Sequence, residues 1–142
     1  MGKAMADYCS RTRQPVPRSR AEQVRAVLES LVLKYRLVRD ELVKVMGRKI
    51  ERLHIVGGGA HNWLLCQMTA DALGLPVYAG PAEATAIGNI MVQAMAAGLV
   101  SSLEEIRTIV RESFRVRQYK PRPTKEWDAA YVRFRGLAGE KS

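Results

Sequence analysis

Leu53-His54-Ile55-Val56-Gly57-Gly58-Gly59-Ala60-His61-Asn62 is the stretch that decides how this chain folds. A short apolar run ending in β-branched residues reads as a buried strand, and three glycines strip every Cβ from the turn behind it. From His61 to Leu73 the apolar residues return at helical spacing, so the glycines join a strand to a helix N-terminus. Backbone N–H groups are unpaired at such a point, and the helix dipole favours anionic or polar ligands there. A flat ring can also lie against bare backbone. Tight strand–helix packing asks for the same glycines, so the turn alone does not assign a ligand.

Working outward, Ser19-Arg20-Ala21-Glu22 has the form of a capping box. The helix behind it carries Val24, Leu28, Leu31, Tyr35, Val38, Leu42 and Val45 in steps of four and three, and ends at Gly47. A strand is expected from about Ile50 to Val56. After the helix closing at Gly74, Val77-Tyr78-Ala79 reads as a short strand, and Gly80-Pro81 turns the chain into a helix from about Glu83 to Ala97. Ser101-Ser102-Leu103-Glu104-Glu105 offers a second capping box for a helix to about Glu112. Phe114 to Tyr119 alternates apolar with polar residues, as a half-exposed strand does, and Thr124 is placed to cap a last helix containing Trp127, Tyr131 and Phe134. Helix and strand alternate over short connections, which argues an α/β architecture. The final strand and helix read as a closing flap. Residues 1–18, broken by Pro15 and Pro17, are expected to be irregular, and residues 19–142 to form the folded domain.

Composition bounds the answer. With 142 residues, 47% of them hydrophobic, the chain can form one compact domain that buries roughly two-thirds of its unfolded surface. No run approaches the ~20 apolar residues that cross a bilayer, and the N-terminus lacks a signal-peptide core. Cys9 and Cys66 lie far apart without metal-ligand spacing, so a reduced, cytoplasmic setting is expected. The net charge of +9 permits nucleic-acid or phosphate binding without specifying it. No Gly-x-x-x-x-Gly-Lys-Ser/Thr loop occurs, which excludes a P-loop kinase.

The glycine stretch, with Gln67-Met68-Thr69-Ala70-Asp71-Ala72 behind it, resembles the FGGY carbohydrate kinases. Ala79-Gly80-Pro81-Ala82-Glu83-Ala84-Thr85-Ala86-Ile87-Gly88-Asn89 and Leu28-Glu29-Ser30-Leu31-Val32-Leu33-Lys34-Tyr35 are similar to the rhamnulokinase branch of that family. The likeness covers roughly residues 5 to 122 and concerns the C-terminal part of such an enzyme. It implies an α/β fold of the ribonuclease H-like, actin-type ATPase kind, incomplete in a chain this short. It further implies ATP as cofactor, with Mg²⁺ held through the nucleotide, and transfer of the γ-phosphoryl group to a sugar hydroxyl. For the rhamnulokinase branch the sugar is L-rhamnulose and the product its 1-phosphate.

Carried over by position, Gly57, Gly58, Gly59, Ala60 and Asn62 would line the adenosine pocket, with Gly58 making the closest backbone approach. Asn62 offers both a donor and an acceptor to a neutral polar ligand, although a residue there can equally satisfy helix backbone. His61 stands where the family pattern has Gln, Arg or Lys, and Cys66 where Asn is common. The family's catalytic base is an aspartate upstream of the segment matched. Asp7, Asp40, Asp71 and Asp128 do not stand in that context, so no catalytic residue is assigned, no metal set is expected, and the chain alone is expected to be inactive. Its sugar would require the N-terminal domain of the complete enzyme.

Other residues have plainer readings. Asp71, in the last turn of a helix, suits hydrogen bonding or packing, and Glu83, at the start of one, suits the dipole. Gly88 inside a helix costs ~1 kcal/mol against alanine, so a close approach of the sheet is expected there. His54 is read as a strand residue facing a neighbour. Two other function classes fit part of the sequence. Arg11, Arg13, Arg18, Arg20 and the basic region from Arg107 to Arg122 suggest a nucleic-acid module, but they are dispersed and lack interleaved aromatics. The four-three stripe from 21 to 46 suggests an oligomerisation helix, yet it is short for a coiled coil, and a wide face packed on the sheet accounts for it. Apolar surface left by an absent partner domain could be covered by self-association.

Overall fold

The structure, a computed structural model, describes residues 2–122 and 125–139. Its elements run α1 (Gly2–Arg11), α2 (Arg20–Met46), β1 (Leu53–Ile55), a 3₁₀ turn (Gly57–His61), α3 (Trp63–Leu73), β2 (Val77–Ala79), α4 (Ala84–Ala96), α5 (Leu103–Ser113), β3 (Arg117–Tyr119) and α6 (Lys125–Leu137). They divide into two compact units, one holding α1, α2 and α6, the other holding the three strands with α3, α4 and α5.

In the helical unit, α2 begins where its local chemistry dictates. Ser19 Oγ accepts from Glu22 N at 3.2 Å, and the Glu22 carboxylate accepts in return from Arg18 N at 2.6 Å and Ser19 N at 3.4 Å. Those backbone donors, Arg18 first, hold the Glu22 carboxyl below its ordinary range. Gly47 closes the helix in the left-handed conformation, its N–H bonded to Val43 O. Leu33 and Leu37 of α2 pack with Tyr131 of α6, flanked by Trp127, Ala130 and Phe134. A polar strip runs beside this contact. Tyr131 donates its hydroxyl to Asp40 at 2.7 Å, the Arg36 guanidinium lies 4.4 Å over the Tyr131 ring and pairs with Asp128 at 2.7 Å, and Arg39 pairs with Asp40 at 2.6 Å. Burial, with the Asp40 bond second, pushes the Tyr131 phenol up to about 12.

Three expectations change in this unit. Residues 1–18 are not irregular throughout, because α1 occupies Gly2–Arg11 before the two prolines. The four-three stripe is not the buried face of α2: Val24, Leu31, Val38, Leu42 and Val45 are exposed, and the buried residues are Val32, Leu33 and Leu37. Both stripes satisfy helical spacing, and the one chosen by tertiary packing is displaced around the axis. The last helix is no flap, since α6 packs on α2 while β3 joins the sheet of the other unit. The expected cap Thr124 lies outside the described residues.

In the second unit β1 and β2 run parallel around the α3 crossover, with Leu53 opposite Val77 and Ile55 opposite Ala79. β3 adds antiparallel to β2, Val77 facing Tyr119 and Ala79 facing Arg117. Cys66 and Ala70 of α3 close a core with Val77, Ala79 and Tyr119, against which Leu53, Ile55 and Ala60 pack. On the other face of the sheet the His54 ring stacks on Tyr78 at 5.2 Å, and Gln118 Nε2 donates to Tyr78 Oη at 3.0 Å. The strands are shorter than the apolar runs suggest, because ladder pairing ends before the runs do.

The start of α5 follows the capping-box chemistry with a shift of one residue. Ser102 Oγ accepts from Glu105 N, but the Glu105 carboxylate accepts from Ser101 Oγ at 2.6 Å and from Ser101 N at 2.8 Å. Gly88 departs from expectation: it is exposed, and a Cβ built there meets no atom within 4 Å. The expected approach of the sheet to α4 at Gly88 does not occur among the described residues.

Candidate functional site

The chain leaves β1 extended at Val56 and reverses at Gly57, whose φ of +72° favours glycine. A single 3₁₀ turn then delivers Asn62 to the N-cap of α3. Hydrogen bonds fix the turn from both sides. Gly57 N donates to Pro81 O at 3.3 Å, Gly80 N to Ile55 O at 2.9 Å, and Asn62 N to Gly59 O at 3.1 Å. Below it, the Cys66 thiol faces Gly59 O at 3.6 Å, and burial pushes that thiol above its ordinary pKa.

Each glycine in the run has a different reason. Gly57 supplies the reversal. A Cβ on Gly59 would lie 3.3 Å from Ile55 Cγ2, so this glycine serves close packing on the strand. Gly58 is exposed, has no positive φ, and a Cβ there meets nothing within 4 Å. Its bare backbone is therefore required neither by the turn nor by the core. Asn62 Oδ1 accepts from Leu65 N at 3.0 Å, so the capping role is real. Asn62 is exposed, and no hydrogen bond engages its NH₂ among the described residues. Ala60 is part-buried against the sheet core.

Next to the turn lies an open pocket of about 240 Å³. It is lined by Ala60 and His61, by Gly80 and Ala82 behind β2, and by Arg115 and Arg117 at the start of β3. The sequence reading placed these two arginines in a diffuse basic region. Alternation backward from Tyr119, instead of forward from Phe114, puts Arg117 on the face of Tyr119 and Arg115 in step with it.

The FGGY family of carbohydrate kinases, C-terminal domain, is the family whose model matches, and it does so over residues 4–97. The chain belongs to the FGGY family. Among curated FGGY relatives, it is 47% identical over 135 residues to a rhamnulokinase of Bacteroides thetaiotaomicron, covering 95% of this chain and 28% of that one. It is 42% identical over 122 residues to a rhamnulokinase of Bacillus subtilis, covering 86% of this chain and 25% of the relative. The crystal structure of xylulose kinase from Rhodospirillum rubrum superposes with a TM-score of 0.63 over 87% of this chain and 25% of that one, at 24% identity. The fold is thus the mixed α/β one of an FGGY C-terminal domain, present in part. The chain spans little more than a quarter of the length of the curated relatives it matches.

Within this FGGY domain Asp71, Asp40 and Asp128 are engaged in hydrogen bonds or ion pairs. Asp71 Oδ1 accepts from Gln67 Nε2 and from Arg122 N, both at 2.8 Å, tying α3 to the segment behind β3. Asp40 accepts from Tyr131, and Asp128 pairs with Arg36. Glu83 sits at the N-cap of α4 without a side-chain capping bond. Among the described residues no three His, Cys, Asp or Glu side chains gather as a metal site, and no helix is long and apolar enough to cross a membrane.

Proposed function

We propose that this chain supplies the adenosine side of an ATP-dependent sugar kinase of rhamnulokinase type. In the complete enzyme L-rhamnulose would receive the phosphoryl group and leave as its 1-phosphate. The observation that carries this reading is Gly58: an exposed stretch of backbone where a Cβ would meet nothing of the protein itself within 4 Å. Space kept free of a Cβ without a packing reason fits a ligand that lies flat against the chain. Gly57, Gly59 and Ala60 would shape the turn beneath the ring, and the Asn62 NH₂ would donate to a purine or ribose acceptor while its oxygen caps α3.

ATP supplies the phosphoryl group when bound, and Mg²⁺ would be held through its phosphates. The residues of this chain hold and orient the nucleoside. Phosphoryl transfer depends on positioning and charge stabilisation, so the chain alone is expected to release no ADP in a sugar-dependent way. We place the enzyme in the cytoplasm, on the reading of its two widely spaced free cysteines as reduced thiols.

Amide NMR of the full chain titrated with adenosine tests the reading. Shifts should centre on residues 57–62. Asn62→Asp keeps an oxygen for the cap and removes the NH₂, so it should weaken the response at least tenfold with little change in stability. Gly58→Val should abolish it without backbone strain, because φ there is not positive. Unchanged adenosine binding in both variants would overturn the assignment.

A further inference from the structure

The pocket beside the glycine turn carries chemistry that a nucleoside does not use. Register sets Arg117 opposite Ala79, on the same face of the sheet as the core residues Val77 and Tyr119. Past Tyr119 that face leaves the packed interior, and Arg117 is exposed there. The backbone then brings Arg115 against the turn that follows β2. A Cβ on Gly80 would come within 3.1 Å of the Arg115 carbonyl oxygen, a contact that the φ of +116° and the absence of a side chain make possible. Both arginines thus line one concave wall, together with His61. Among the described residues neither arginine has an ion pair, and no acidic side chain lines the pocket.

Two unneutralised arginines on a concave surface suit a phosphate-class oxyanion, whose oxygens match the planar fork of each guanidinium. Size narrows the occupant. About 240 Å³ falls below the roughly 300–1,000 Å³ of pockets that enclose a whole drug-sized ligand. A single phosphoryl or diphosphoryl group falls within that size.

We propose that Arg115 and Arg117 form an oxyanion site for a phosphate-class group next to the glycine turn. The group is either the phosphoryl end of a nucleotide held at that turn or free pyrophosphate. The first form rests on the nucleotide reading above, and the second stands without it.

Separate NMR titrations of the full chain with pyrophosphate, adenosine and ADP decide between them. Pyrophosphate should move the amides of residues 115–119 and 80–82. Arg115→Gln with Arg117→Gln should weaken that response at least tenfold, leave the adenosine response unchanged, and be partly rescued by lysine at both positions. Both arginines are exposed, so the variants should keep the parent circular dichroism. ADP binding at least tenfold tighter than adenosine, with the advantage lost in the double variant, assigns the anion to the nucleotide. Pyrophosphate binding without any ADP advantage assigns it to the free anion. A pyrophosphate response beside a silent adenosine titration supports the oxyanion site while overturning the nucleotide reading. Pyrophosphate shifts scattered over other basic segments, or undiminished in the double variant, overturn the oxyanion site itself.

Discussion

Gly80→Ala should be the most damaging single-methyl addition in the strand unit, and its cost can be worked out from geometry. The backbone at Gly80 has φ +116°, well outside the left-handed region near +57° that a side chain tolerates with least penalty. Holding a non-glycine residue in such a conformation costs ~1–3 kcal/mol. The added Cβ would also lie 3.1 Å from Arg115 O, and that oxygen belongs to backbone leading directly into β3. The neighbour cannot swing aside like a side-chain tip, so overpacking adds a further ~1 kcal/mol or more. The sum is about 3 kcal/mol. With a urea slope of about 1–3 kcal/mol per molar, the unfolding midpoint followed by circular dichroism should fall by about 1–3 M. Gly58→Ala is the control: no contact within 4 Å and no positive φ predict a change within about 0.5 kcal/mol, or a slight gain from the stiffer unfolded chain. Equal midpoints for Gly80→Ala and the parent would refute both the close approach of β3 and the geometry of the arginine pocket built upon it.

Tyr131→Phe removes the bond to Asp40 and should cost about 1.5–3 kcal/mol, the range for hydrogen bonds to charged groups. Because the folded-state value of about 12 stands above the ordinary 10, the phenol's contribution is whole below pH 10 and is lost as pH rises toward 12. The parent should lose stability over that window and the phenylalanine variant should lose less, as read by denaturant titrations at stepped pH. Cys9 should react with Ellman's reagent within seconds to minutes, and Cys66, fully buried with its thiol pKa raised by burial, only as the chain opens. Equal rates in the native state would count against the core described around α3. Asn62→Ala should cost ~1 kcal/mol through the lost cap, measured as a thermal shift, whereas Asn62→Asp should not.

What the sequence disclosed was what local chemistry decides. The box at Ser19 and Glu22 and the stop at Gly47 need only residues a few positions apart, and both are where spacing puts them. The strand–glycine–helix passage was legible for the same reason, as was the order of elements from α2 onward. Choices made by distant partners were not. Two apolar stripes wind along α2, and only the approach of α6 selects Leu33 and Leu37 over Leu31 and Val38. The inward face of β3 is set by Val77 and Ala79, so Phe114 and Val116 are left exposed although they look like the core-facing residues. The helix at Gly2–Arg11 was hidden by the prolines that follow it. At the glycine turn, sequence grouped three residues as one motif, and the structure separates them into a reversal, a packing contact and an open position.

The polar strip joining α2 to α6 has a consequence for how this domain can change over time. Arg36 touches both Asp128 and the Tyr131 ring, Tyr131 touches Asp40, and Asp40 touches Arg39. Replacing one member strands a charge or a phenol whose partner remained, so the effects of single and paired substitutions should not add. A lineage that loses Tyr131 has little reason to keep Asp40, and one that loses Asp128 has less use for Arg36. The residues at these positions should therefore be inherited as a set, drifting together or not at all.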